Sequence, residues 1–263
     1  MAMSLDEYRI MNSAGTDQRL QRAAEGWLAL TDLCSRLRLG FVKEHKRKAS
    51  AERVAEDAES YPMQAAVNPP SVHLFKALIS GAKALNEAGV RYVLGGGMAL
   101  SFHHHERATR VVDFFLLFDR KRLSDLGAIL AKYDLRSNPN EGSSWLPPDA
   151  QFWWEPMQYG LPDGPPVDVD LRASQHEFMA FLHTSGLEGS IENTRVRVLS
   201  AEGLILLKLK AFRDKDRWDL KTVWSRTPKV DRKLLESWSK RFKVEERLLQ
   251  MEREIEAEKK GLG

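Results

Sequence analysis

The sequence predicts an α/β fold, a mixed β-sheet flanked by helices, with helical additions at its N-terminal and C-terminal ends. Three observations carry this. Apolar residues at helical spacing alternate with short β-rich runs between residues 71 and 133. Two later segments, VDVDL at 167–171 and TRVRV at 194–198, alternate strictly, so their apolar residues fall on one face of a strand. Charged helical patterns then close the chain. Helix–strand alternation followed by a strand cluster is the signature of an α/β core.

The elements follow in order. Residues 1–66 are polar, with helical spacing at Trp27, Leu28, Leu30, Leu33 and Leu37, and a basic patch holds Arg36, Arg38, Lys43, Lys46, Arg47 and Lys48. Asn68-Pro69-Pro70 breaks the chain, so the expected division is an N-terminal helical region (1–66), a core (67–225) and a C-terminal helical extension (226–263). Ser71 can cap a helix through Leu74, Phe75, Leu78, Ile79 and Leu85 that stops at Gly89. Arg91–Leu94 reads as a strand, and Gly95-Gly96-Gly97 turns it into a second helix. Arg110–Phe118 is β-rich and Asp119–Tyr133 helical. Residues 137–149 read as a loop and Phe152–Gly160 as a strand. Ser200 caps AEGLILLKLKAF, DKDRWDLKTVW follows, and one long charged helix is expected over about 232–260, its end projecting or joining a partner.

Composition narrows the function. Forty basic residues against 37 acidic ones give +3, too weak to imply nucleic acid by itself. The single cysteine, Cys34, excludes an internal disulfide framework. No secretory leader and no apolar run approaching the ~20 residues of a membrane span is evident, so a soluble, cytoplasmic protein without membrane attachment is expected.

Asp113 stands alone in an otherwise apolar run, VVDFFLLF. A carboxylate there is expensive unless paired, hydrogen-bonded or bound to a cation. Asp168 and Asp170 share a face of their own strand. If the two strands are neighbours, Asp113, Asp168 and Asp170 converge as candidate ligands for Mg²⁺, which takes one or two carboxylates plus phosphate oxygens and water. Glycines at a strand-to-helix turn let backbone N–H groups approach a triphosphate. Neither a Walker P-loop nor G-x-G-x-x-G is present. His103, His104 and His105 point in different directions on a helix and cannot bind one ion together; His103 is expected to pack or hydrogen-bond beneath the glycine turn. Trp153-Trp154 reads as a core or edge pair rather than a base-stacking platform.

GGMALSFHHHERATRVVDFF resembles the signature of small nucleotidyltransferase-fold proteins, including minimal nucleotidyltransferases and the abortive-infection AbiE-type toxins. Gly96, Gly97, His103, Arg107, Thr109 and Asp113 fall on that pattern. VDLRASQHEF resembles the strand of the third carboxylate, Asp170 with Asp168 competing, and SAEGLILLKLKAFRDKDRWDL the downstream helix with Lys208, Arg213, Asp216 and Asp219. The likeness covers roughly residues 71–225. It implies a nucleotidyltransferase-like sheet and Mg²⁺-dependent transfer of an NMP from an NTP. Asp113, Asp170 and Lys208 would be catalytic, and Gly96, Gly97, Arg107, Thr109, Lys208 and Arg213 would hold nucleotide. Asp113 with Asp168 or Asp170 would hold metal. The acceptor would be a hydroxyl on RNA (tRNA among them), protein or a small molecule, and an antitoxin the partner. One position departs: Val111 stands where the family places the first aspartate of its Asp-x-Asp pair. A valine cannot ligate a cation, so three readings stay open: an enzyme with a degenerate site, a pseudoenzyme that binds nucleotide or a partner, and a variant with the acid removed.

Overall fold

The computed structural model describes residues 72–103, 105, 109–146, 152–160, 165–227 and 229–261. The expected N-terminal helical region, its basic patch, Ser71, His104 and Arg107 lie outside the described residues. Helix α1 (Val72–Glu87) leads through Gly89, at φ 63°, into β1 (Arg91–Leu94). Then come α2 (Gly96–Phe102), β2 (Val111–Leu117), a 3₁₀ turn at Arg120–Arg122, α3 (Leu123–Lys132), β3 (Leu135–Ser137), β4 (Ser144–Leu146), β5 (Phe152–Tyr159) and β6 (Val167–Ser174). The chain continues as α4 (Glu177–Ser185), β7 (Leu187–Ile191), β8 (Thr194–Val198), α5 (Ala201–Ala211), α6 (Asp214–Arg226), α7 (Arg232–Phe242) and α8 (Glu245–Gly261).

Eight strands form one mixed sheet in the order β3-β5-β6-β2-β1-β8-β7, with β4 on β5. The centre is the parallel pair β2–β6, flanked by β1 antiparallel to β2 and β5 antiparallel to β6. Val112, Phe114 and Leu116 are fully buried. Helix α1 crosses this face so closely that a Cβ on Gly81 would lie 2.5 Å from the Phe114 ring. The opposite face of β2, with Val111, Asp113 and Phe115, is left for the site.

Three sequence expectations need correction. The 137–149 loop contains β4 and the end of β3, because both pair with β5; the turn-rich composition hid strands only three residues long. The segment between β6 and β8, which was given no element, holds α4 and β7. Phe178, Met179 and Leu182 of α4 are buried, and the Phe178 ring packs edge-on against Trp238 and Phe242 at 5.0 and 4.6 Å. The single helix expected over 232–260 is a helical hairpin. Lys243, at φ 55°, ends α7: its N–H donates to Lys240 O at 3.1 Å, and Val244 N–H donates to Ser239 O at 2.9 Å. This is the double bond of a left-handed helix cap, and Val244 is buried beneath it. Helix α8 therefore folds back, joined to α7 by Arg232–Glu252 (2.7 Å) and to α6 by Arg217–Glu254 (2.6 Å), rather than projecting. A lysine at positive φ is strained where glycine is not. Lys243→Gly is expected to stabilise the fold by about 0.5–1 kcal/mol, read as a higher urea midpoint at unchanged slope.

Candidate active site

The glycine turn is shaped by what lies against it. Gly95 N–H donates to Asp113 O at 2.8 Å, stitching the end of β1 to β2. Gly96 sits at φ 58°, and a Cβ there would lie 1.7 Å from Asp113 Oδ2. One on Gly97 would lie 2.6 Å from Thr109 Cβ. Gly96 and Gly97 thus make room for Asp113 and Thr109. Thr109 Oγ1 in turn donates to Val111 O at 3.2 Å, bracing the entry to β2. His103, beside the turn, donates through Nε2 to Leu199 O at 2.7 Å.

Register decides which acids meet. In the parallel β2–β6 ladder Asp113 pairs with Asp170, Val111 with Asp168 and Phe115 with Arg172. Asp170 therefore stands beside Asp113. Asp168 stands two pairs further along, exposed, and accepts a bond from Gln158 Nε2 at 3.3 Å. Arg172, to which the sequence reading gave no role, forks across both half-buried carboxylates: Nη1 bonds Asp113 Oδ1 and Nη2 bonds Asp170 Oδ2 at 2.7 Å. Its signal was its place two residues after Asp170, on the same strand face.

Across the cleft, Lys208 Nζ lies 3.0 Å from Asp216 Oδ1 and 2.6 Å from Asp219 Oδ2. Asp219 is fully buried, and its Oδ1 accepts from His105 Nε2 at 2.9 Å. His105 is the second residue that sequence reasoning missed; its partner lies 114 positions away. Arg213 Nε bonds Asp216 Oδ2 at 2.6 Å. Burial opposes the Asp216 charge, but hydrogen bonds from Arg213 and the Lys208 ammonium outweigh it and hold the carboxyl below its ordinary range. That same bond raises the Arg213 guanidinium.

Most of these groups, though not the buried His105 and Asp219, line an open cavity of about 600 Å³. Gly96, Gly97, Thr109, Asp113, Asp170, Lys208 and Arg213 all border it, as do Val111 and Arg172; Asp168 does not. Five basic side chains (Arg172, Lys208, Lys210, Arg213 and Lys215) face three acids (Asp113, Asp170 and Asp216), so the walls favour an anion. The chemistry of the donor set fits one hard cation at Asp113 and Asp170, supplemented by phosphate oxygens and water. It does not supply a larger acidic cluster: among the described residues no group of three or more His, Cys, Asp or Glu side chains could hold a metal ion, and Val111 on the cavity wall offers no ligand. Trp153 lies apart from the cavity, buried with the Arg120 guanidinium carbon 3.4 Å above its ring.

A mixed sheet, a glycine elbow against an aspartate, a second aspartate in register and a basic helix facing them define a nucleotidyltransferase-like protein. Residues 81–260 match the model of the nucleotidyl transferase AbiEii toxins of type IV toxin–antitoxin systems, and the chain belongs to that family. The match extends past residue 225, where the resemblance in the sequence was expected to end, through α7 and most of α8. A comparison with curated proteins returns no match. Among solved structures, the chain is similar to an antigenic nucleotidyltransferase-like protein from Paracoccidioides brasiliensis (17% identity, 69% of this chain and 90% of that one, TM-score 0.47). It is also similar to ANT(2")-Ia in complex with adenylyl-2"-tobramycin (17%, 64% and 97%, 0.43). A third is MenT4, a nucleotidyltransferase toxin from Mycobacterium tuberculosis H37Rv (16%, 62% and 63%, 0.35).

Proposed function

We propose that this chain is a Mg²⁺-dependent nucleotidyltransferase that moves an NMP from an NTP to a hydroxyl, as the cytoplasmic toxin of a toxin–antitoxin pair. The observation that carries the reading is the register of Asp113 beside Asp170 at the wall of a basic cavity. Asp113 and Asp170 would hold one ion, which supplies charge neutralisation on the polyphosphate. Gly96 and Gly97 border the phosphates. Lys208 and Arg213 offset the charge that develops when the acceptor oxygen bonds the α-phosphorus and pyrophosphate leaves. Arg107 and Thr109 complete the nucleotide contacts, and Asp168 stays the outlying acid. The acceptor is a hydroxyl on RNA, with tRNA suggested by the basic patch at 36–48, or on a protein or small molecule, and an antitoxin is the expected protein partner. No helix among the described residues is long and apolar enough to cross a membrane.

One observation favours a second reading, a catalytically impaired module that binds nucleotide, RNA or a protein: Val111 borders the cavity where an acid would complete the Asp-x-Asp pair. Incubation with each labelled NTP, Mg²⁺ and total RNA, beside Val111→Asp, separates the two. Labelling by the chain as it stands, rising about 100-fold in the variant, is the expected result. Labelling by neither overturns transfer and leaves the binding module.

A further inference from the structure

Two carboxylates in register on adjacent parallel strands repel each other, and half-burial sharpens the conflict. At Asp113 and Asp170 the repulsion is offset by Arg172. The Arg172 guanidinium gives one nitrogen to each, and its carbon lies 5.5 Å from the Phe115 ring centroid on the same strand face. This planar fork spans two oxygens as a lysine could not. The two bonds occupy two of its five N–H donors, and its side chain, 22% exposed, borders the basic cavity. The position an ion would neutralise is therefore already neutralised by the chain itself, and by a group that also binds phosphate oxygens in bidentate fashion.

We infer that Arg172 is a built-in counter-cation that makes cation binding and polyphosphate binding interdependent at this site. The inference deepens the transfer reading and rests on it only for the identity of the anion. A divalent ion arriving alone must displace the guanidinium and strand a positive charge. A polyphosphate arriving alone competes with the two carboxylates for the guanidinium and leaves their charge less well offset. Arriving together, the ion takes the carboxylates and the guanidinium takes a phosphate oxygen, so neither charge is stranded. Such reciprocity is a coupling free energy between two ligands, and it excludes free divalent ions from the site until the polyphosphate is present. Loss of one acid at Val111 strengthens the effect, because a single guanidinium suffices for two carboxylates and not for three.

The test is titration of the full chain with Mn²⁺ alone, comparing the wild type with Arg172→Met and Arg172→Lys. Arg172→Met is expected to bind Mn²⁺ about tenfold tighter than the wild type, the order of effect that groups contacting metal ligands exert, with Arg172→Lys between them. In EDTA the same Met variant is expected to bind inorganic triphosphate several-fold more weakly, since a phosphate-binding fork is gone. Adding Asp170→Asn to Arg172→Met is expected to abolish the gain in Mn²⁺ affinity. Equal or weaker Mn²⁺ binding by both Arg172 variants overturns the inference, as does a gain that survives Asp170→Asn. Thermal unfolding checks that each variant is folded, and Arg172→Lys carries the comparison if Arg172→Met is not. An intact Mn²⁺ difference with no labelling of any acceptor by NTP sinks the transfer reading alone.

Discussion

Gly96→Ala is expected to reduce nucleotidyl transfer by about 100-fold and to destabilise the fold. The added methyl meets two obstacles at once. At φ 58° an alanine leaves its preferred backbone regions, a strain on the order of 1–3 kcal/mol. Its Cβ would also stand 1.7 Å from Asp113 Oδ2 and 2.5 Å from Cγ, and Asp113 is anchored on the other side by Arg172 and by its place in β2. Either the glycine elbow or the carboxylate must shift. Displacement of a reacting group by about 1 Å can reduce rate by roughly 100-fold, so activity falls further than stability. Urea unfolding read beside NTP labelling separates the two losses. Gly127→Ala is the control. Gly127 lies inside α3, a Cβ there meets nothing within 4 Å, and helix propensity predicts no loss or a gain of up to about 1 kcal/mol. Equal effects at the two glycines would mean that the elbow is an ordinary turn.

Much of this site was legible because local pattern and local structure agree there. The glycine triplet sits at a strand end, and residues 167–171 alternate as a strand should; Arg91–Leu94 and Thr194–Val198 occupy the residues the spacing indicated. What was not legible depends on partners distant in sequence. The choice of Asp170 over Asp168 as the neighbour of Asp113 is a matter of parallel register, which a single chain does not print. Arg172 looked like one more charge on a strand; only the pairing of β2 with β6 turns it into a bridge. The hairpin at Lys243 was hidden because a lysine gives no sign of a left-handed residue. Asp216 pairs with Arg213 at the helix turn, close in sequence, whereas Asp219 joins a buried chain from His105 to Lys208, which local spacing could not reveal.

Asp219 is fully buried, with His105 at 2% exposure on one oxygen and Lys208 on the other. A buried carboxylate of this kind contributes little net stability compared with an apolar isostere, but removing it leaves its partners stranded. Asp219→Ala is expected to lose about 3–5 kcal/mol, seen as a lowered urea midpoint. His105 then keeps a buried ring nitrogen without its carboxylate, and the Lys208 ammonium keeps Asp216 at 3.0 Å as its carboxylate partner. If the cost is lost charge pairing rather than a cavity, deleting the cation that has lost one of its two carboxylates should recover part of it. Asp219→Ala combined with Lys208→Met is therefore expected to be more stable than the sum of the two single losses by about 1–3 kcal/mol. Additive losses would instead mean that Asp219 acts through packing alone, and that Lys208 is placed at the cavity wall by its helix and not by its acids. The distinction bears on chemistry as well as stability. An ammonium held by two carboxylates meets a phosphate from a fixed position and with its charge already divided, whereas one held by its helix alone would meet it as a mobile point charge.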